Sequence, residues 1–259
     1  MPPGSDSTQS DGSQPWRHTR KEIGSLRCNL IVPVHRPATH LVTLCHGFGA
    51  PGDDLLGMVP WFLEEMQDRF PDVAPIWLVP AAPISLEEDG MPGGRAWWRL
   101  SVQSLIDSFT TGKYDVLKQH VPDGIDAARD KLTTAIQLTQ QEFNITPQRT
   151  IVAGFSQGAM ISVDTALRGL SEPPGGLWLY SGLLICESIW RPLASRLHST
   201  SIVQSHGTQD PILPITGGKW LRDMLTEQGN RVDFISFVGP HTIPPEAIDA
   251  SLRSLKNIF

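Results

Sequence analysis

Apolar and polar positions along this chain follow two rhythms that take turns. Short apolar runs come at LRCNLIVP (26–33), HLVTLCHG (40–47), PIWLVPAAP (75–83), TIVAGF (150–155), GLWLYSG (176–182), SIVQSHG (201–207) and RVDFISFVG (231–239). Each is short and rich in β-branched or aromatic residues, which predicts a strand; the first reads as an edge strand or hairpin arm. Between them lie stretches with helical spacing. The clearest is 123–143, where Ile125, Ala128, Leu132, Ala135 and Ile136 fall on one face. Residues 53–70 have the same spacing but carry Pro60, so a kink or two pieces are expected. Helices are also predicted over 157–169, with Gly169 as a stop, over 215–229, with Gly229 at the end, and over 244–259, which opens on prolines. Residues 84 to about 121 read as irregular. Strands that alternate with helices predict an α/β fold, a mostly parallel central sheet flanked by helices on both faces. In such a sheet functional groups sit just past the C-terminal ends of the strands.

Composition bounds the picture. The 259 residues suffice for one large α/β domain or two small ones. Residues 1–22 are polar and rich in Ser, Asp, Gly, Gln and Pro, so a disordered tail is expected there, with the folded domain over 23–259. A net charge of −6 without a long basic run argues against nucleic acid as a partner. Cys28, Cys45 and Cys186 are sparse and widely spaced, which suggests reduced thiols rather than a disulfide framework or a zinc site. The first residues lack the apolar core of a signal peptide, and no stretch is apolar enough for a transmembrane segment. These features together predict a cytoplasmic protein. Oligomeric state is left open.

Four stretches carry candidate chemistry. The first is GFSQGA (154–159), in which Ser156 stands between Gly154 and Gly158 where a strand meets a helix. Gly-x-Ser-x-Gly in that setting forms a nucleophile elbow, a strained turn that presents the serine hydroxyl. A Gly-Ser helix cap is the plainer alternative. The second is HGFGAPGDD (46–54) after the strand 40–45, a turn able to aim a backbone N–H at a developing oxyanion. By position the two donors would be Phe48 N–H and Gln157 N–H. His46 precedes the turn and is expected to hydrogen-bond the loop. The third is HGTQDPILP (206–214), where Asp210 follows a strand and suits the acid role. Asp164 is carried away along its helix and Asp233 lies within a strand, so Asp210 is preferred to both. The fourth is GPHTIPPE (239–246), which sets His241 after the last strand. His206 adjoins the acid loop and reads as structural. The order Ser156, Asp210, His241 is that of the α/β-hydrolases, each after a strand.

These four stretches, in this order and spacing, resemble the acyl-protein thioesterase, lysophospholipase and carboxylesterase family of α/β-hydrolases. The resemblance runs from about residue 38 to the C-terminus. It implies an α/β-hydrolase fold with no large cap domain. It also implies a serine hydrolase acting on carboxylic esters or thioesters, with no cofactor; a metal hydrolase, the other possibility, would need a ligand cluster with suitable spacing, which the sequence lacks. The substrate would be a small-molecule or lipid acyl ester or thioester, or an acylated protein. Carried across, the nucleophile is Ser156, the acid Asp210, the base His241 and the oxyanion donors Phe48 and Gln157. The segment 84–121 and the tail depart from the family pattern. Family members carry an aromatic near the site at the first of these, so Trp98, and less so Trp97, is a candidate wall; packing of the loop is an equal reading for Trp98. Leu56, Ile212 and Leu213 flank the site in sequence and are candidates for an acyl pocket or for core, while Leu55 reads as core. A peptidase, an aryl or polyester esterase of the same fold, and an inactive binding homologue stay as alternatives. A histidine that acts as base must be neutral, so hydrolysis is expected to fall at acid pH. A rate profile flat down to about pH 4 would contradict that role.

Overall fold

The computed structural model describes residues 15–258. Ten strands form: β1 (Trp16–Ile23), β2 (Leu26–Pro33), β3 (His40–Cys45), β4 (Pro75–Pro80), β5 (Ile84–Ser85), β6 (Arg95–Ala96), β7 (Thr150–Phe155), β8 (Gly176–Tyr180), β9 (Ser201–Gly207) and β10 (Val232–Phe237). The helices are α1 (Val59–Arg69), α2 (Val102–Thr110), α3 (Tyr114–Gln119), α4 (Ile125–Phe143), α5 (Gln157–Asp164), α6 (Glu187–Trp190), α7 (Ile215–Glu227) and α8 (Pro245–Ser254). Eight strands make one sheet in the order β1-β2-β4-β3-β7-β8-β9-β10. Only β2 runs against the others, since it is antiparallel to both β1 and β4 while every other pair is parallel.

Strict alternation along the central strands divides the core into two layers. Leu41, Ile76, Leu78, Val152, Leu177 and Leu179 face one layer with α4, α5 and α7. Val42, Leu44, Trp77, Val79, Ile151, Trp178 and Tyr180 face the other with α1 and α8. A strand buried on both faces reads as a continuous apolar run, which is why these segments are conspicuous in the sequence. The helices each bury one stripe: Ile125, Ala128, Leu132, Ala135 and Ile136 on α4, and Val59, Phe62, Leu63 and Met66 on α1. Buried charge is confined and paired. The Asp164 carboxylate, fully enclosed, accepts the Trp190 indole N–H at 2.7 Å and an Arg168 N–H at 3.1 Å, with Arg129 at 3.5 Å. Burial pushes this carboxyl up from the usual range, and the indole and guanidinium groups oppose the shift.

Several sequence expectations are corrected in detail. Residues 16–22, expected as tail, belong to the sheet, because β1 pairs with β2 along its whole length from Trp16 opposite Pro33 to Ile23 opposite Leu26. Its sequence WRHTRKEI looks like tail because an edge strand with one solvated side keeps polar residues. The part of the expected tail over 1–14 lies outside the described residues. The stretch 84–121 is not wholly irregular: it carries the β5–β6 pair, α2 and α3. The segment 53–70 is indeed two pieces, a 3₁₀ turn at Asp54–Met58 and then α1, with Pro60 in the first helical turn where its missing N–H is harmless. The helix after Ser156 loosens at its end into a π turn over Thr165–Gly169, closed by Leu170 N–H on Thr165 O at 2.9 Å. Among the described residues, no helix is long and apolar enough to cross a membrane.

β1 buries Ile23 and completes the sheet edge. A chain lacking residues 1–23 should therefore unfold more easily than one lacking 1–14, by at least about 2 kcal/mol, the transfer value of one large aliphatic side chain. Urea denaturation of the two truncations checks this; equal midpoints would contradict the assignment of β1.

Candidate active site

Parallel neighbours deliver the functional loops side by side. β3 and β7 are adjacent and end in register, Cys45 opposite Gly154, so the Gly47–Ala50 turn and the Ser156 turn leave the sheet together. β9 and β10 are adjacent too, Gly207 opposite Phe237, so the loops carrying Asp210 and His241 leave together. The backbone ties the latter pair: Thr208 N–H donates to Phe237 O at 2.8 Å and Gln209 N–H to Gly239 O at 3.0 Å.

Ser156 sits at φ 58°, ψ −119°, a conformation that ordinary residues avoid. What enforces it is the absence of side chains around it. A Cβ on Gly154 would lie 2.2 Å from Gly158 O, and one on Gly158 would lie 2.0 Å from Cys45 O. Neither contact is possible, so only glycine lets α5 rise this close to β3 and β7. Ser156 N–H is held by Tyr180 O at 2.8 Å. Gln157, at the first position of α5, has an N–H without an intrahelical acceptor. Phe48 N–H likewise makes no hydrogen bond among the described residues.

Asp210 and His241 meet. His241 Nδ1 lies 2.6 Å from Asp210 Oδ2, and the carboxylate side chain is fully enclosed. A carboxylate accepts, so Nδ1 carries the proton, and in the neutral ring Nε2 keeps its lone pair. The other carboxylate oxygen accepts N–H groups from Ile212 at 2.9 Å and Leu213 at 2.8 Å. Burial works to raise the Asp210 carboxyl, but hydrogen bonds from His206, His241 and the Leu213 N–H outweigh it and hold the group well below the usual carboxylate range. His206 is structural, as expected: Nε2 donates to Leu213 O at 2.6 Å with Asp210 Oδ2 at 3.4 Å, and its ring fills the space left by Gly218. His46 likewise belongs to the loop, with Nδ1 on Gly47 O at 2.8 Å and Nε2 accepting Ala82 N–H at 3.0 Å.

Ser156 and His241 open on one cavity of about 190 Å³, whose wall also includes Phe48, Leu100, Met160, Ile212 and Leu213. Gln157 contributes to the same wall. Two candidate pocket residues are elsewhere. Trp98 is 1% exposed and packs in the core layer of α4 and α5, so it forms no wall; Leu100, two residues on, takes that place. Leu56 turns to the other sheet layer and lines a separate groove of about 410 Å³ beside Trp16 and Val59. Neither the loop of Trp98 nor the single 3₁₀ turn of Leu56 has a periodicity long enough to fix a side chain's direction, which is why sequence position misplaces both. Met160 was missed, although four residues after Ser156 on a helix is the same face. Phe155 was missed as well; its ring lies 4.6 Å from that of His241. Among the described residues, no group of three or more His, Cys, Asp or Glu side chains is placed to hold a metal ion.

The model of the phospholipase/carboxylesterase family matches residues 26–258. The chain belongs to this family. Its sheet order and two helical layers are those of the α/β-hydrolase fold. Among curated relatives, acyl-protein thioesterase 1 of Gibberella zeae is 27% identical over 227 residues, covering 85% of this chain and 91% of the relative. Acyl-protein thioesterase 1 of Emericella nidulans is 26% identical over 211 residues, 78% of this chain and 82% of the relative. Among solved structures, esterase PE8 aligns with a TM-score of 0.71 at 25% identity, over 90% of this chain and 99% of its own. A carboxylesterase from Mesorhizobium loti shares the fold, with a TM-score of 0.69 at 13% identity over 94% of this chain and 99% of its own.

Two outcomes follow from the geometry. Gly158→Ala forces a methyl against a main-chain carbonyl and should cost about 3 kcal/mol or more, because backbone on both sides must move; a thermal midpoint equal to wild type would refute the close approach. The depressed carboxyl of Asp210 stabilises the fold at pH values above the unfolded carboxyl's value of about 3.9, and this contribution is lost as pH falls through the lower folded value. The stability gap between wild type and Asp210→Asn should thus be level above about pH 5 and shrink below about pH 4. Urea titrations across that range check it, and a gap that widens on acidification would contradict it.

Proposed function

We propose that this protein is a serine hydrolase of carboxylic esters or thioesters that works through an acyl-enzyme. The observation that carries the reading is the 2.6 Å bond between His241 and Asp210, with His241 and Ser156 lining the same cavity. The family membership and the thioesterase and esterase names of its relatives support the ester or thioester as the bond attacked.

In the proposed sequence the substrate carbonyl lies over Ser156 with its oxygen towards Phe48 N–H and Gln157 N–H. The Ser156 oxygen attacks as His241 Nε2 takes its proton. Asp210 holds the ring in the required tautomer and stabilises the imidazolium that forms. The two N–H groups balance the charge on the tetrahedral oxygen, each worth about 3–4 kcal/mol in such sites. Collapse expels the alcohol or thiol, which takes the proton back from His241. Water, deprotonated by the same nitrogen, then releases the acid and restores Ser156. The apolar wall of Leu100, Met160, Ile212 and Leu213 suits the acyl portion. An acyl ester or thioester of a small molecule, a lipid or a protein is the proposed substrate class.

The test is a chain-length series of p-nitrophenyl esters and acyl thioesters on wild type and Ser156→Ala. Wild type should turn over part of the series, and the variant should lose at least about 10³-fold in kcat. Turnover undiminished in Ser156→Ala would end the reading. A peptide amide cleaved in preference to every ester would favour a peptidase instead.

A further inference from the structure

The side chains of Gln157 and Trp97 have no part in the chemistry just described, yet both are buried against the two donor loops. The Gln157 amide reaches across to the segment before α2: its Oε1 accepts Trp97 N–H at 2.9 Å and its Nε2 donates to Trp98 O at 2.8 Å. The Trp97 indole N–H donates to His46 O at 2.9 Å, just ahead of the Gly47–Ala50 turn. Along that turn Gly49 N–H donates to Arg95 O at 2.9 Å, and Arg95 N–H donates to Ala50 O at 3.1 Å. His46 adds the bonds to Gly47 O and from Ala82 N–H described above. The segment Arg95–Trp98 is thereby bonded, through Arg95 and Trp97, to the loop of Phe48 and, through Trp97 and Trp98, to the side chain of Gln157. Phe48 and Gln157 lie far apart in sequence, and beyond the pairing of β3 with β7 this short segment is bonded to both.

We propose that Arg95–Trp98 is a brace that fixes the spacing of the two oxyanion donors, with Trp97 and the Gln157 side chain as its positioning residues. The physical reason is that an oxyanion hole works only when its donors are set before charge develops. A donor on a glycine-rich turn has no such rigidity of its own: Gly49 sits at φ +80°, and Gly47 and Gly52 flank the same turn. Bonds to a second buried segment supply it. They also explain an otherwise odd feature of the sequence, a tryptophan pair in a glycine-rich stretch. Trp97 and Trp98 are alike in burial and differ in one atom's fate: the Trp98 indole N–H has no partner among the described residues, whereas that of Trp97 is bonded.

That difference makes the test. The inference rests on the serine-hydrolase reading, so Ser156→Ala runs beside it: activity retained there sinks that reading, whatever the brace variants do. Trp97→Phe and Trp98→Phe each delete one buried indole N–H and the same small volume. Rates are taken per active site, counted by end-point labelling with a fluorophosphonate. Trp97→Phe should lose about tenfold in kcat per labelled site with KM within about twofold, as expected when reacting groups are slightly misplaced. Trp98→Phe should keep kcat per labelled site. Gln157→Met, which keeps length and removes both amide bonds, should lose more than Trp97→Phe in the same parameter. The affinity of a boronic acid that mimics the tetrahedral state should fall in step with kcat/KM. If Trp97→Phe lowers only the labelled fraction, or lowers kcat no more than Trp98→Phe does, the pair is mere packing and the brace is refuted.

Discussion

Three backbones meet at residue 158 with no room for a side chain between them. A Cβ there would stand 2.0 Å from the carbonyl oxygen of Cys45 and 2.6 Å from that of His46. Because α5 can press onto the end of β3, the residue two positions earlier is bent into φ 58° and lifted out of the strand line. The same approach brings the start of α5 beside the Gly47–Ala50 turn, with Gly47 so near Ser156 that a Cβ would be 3.3 Å from its side chain. Remove that approach and the proposed nucleophile, its cavity and both proposed donors separate at once. The strain is local, and the two buried core layers on either side of the sheet hold it in place.

The proposed acid and base depend on a different constraint, the pairing of β9 with β10. Two N–H groups of the Asp210 loop end on carbonyls of the segment that leads from β10 to His241, and Gly207 leaves no Cβ where Gly239 O and Pro240 O pass. Asp210 is then satisfied on every side. His241 and two backbone N–H groups bond it, and His206 lies at 3.4 Å. A buried carboxylate with that many donors stays ionised, and an ionised carboxylate is what fixes the His241 proton on Nδ1. The position of one loop thus decides the chemistry available to another thirty residues on.

Much of this was legible in the sequence because the relevant signals are periodic or covalently constrained. Strands buried on both faces announce themselves as apolar runs; Ser156 follows one directly, and Asp210 and His241 lie in the loops that follow β9 and β10. Gly154 and Gly158 are readable because glycine at both flanks has one steric reason. β1 was not legible: Arg17, Arg20, Lys21 and Glu22 mark it as solvated, and solvation is equally the mark of a tail. Its identity comes from pairing with β2, a long-range fact. The pocket wall failed at Trp98 and Leu56 for a related cause. Direction in a loop is set by what packs beneath it, and Trp98 turned inward while Leu100 took the wall. The brace was invisible because each of its bonds ends on a main-chain atom far away in sequence, and nothing in the sequence says which distant backbone the Trp97 and Gln157 side chains will meet.

The proposed nucleophile is one hydroxyl, at Ser156, activated for attack on an acyl carbon. Treat the folded protein with a fluorophosphonate, measure its intact mass, and map the adduct by peptide sequencing. A single adduct is expected, on Ser156, formed far more slowly in His241→Ala. An adduct on another residue, or none on folded wild-type protein, would contradict it.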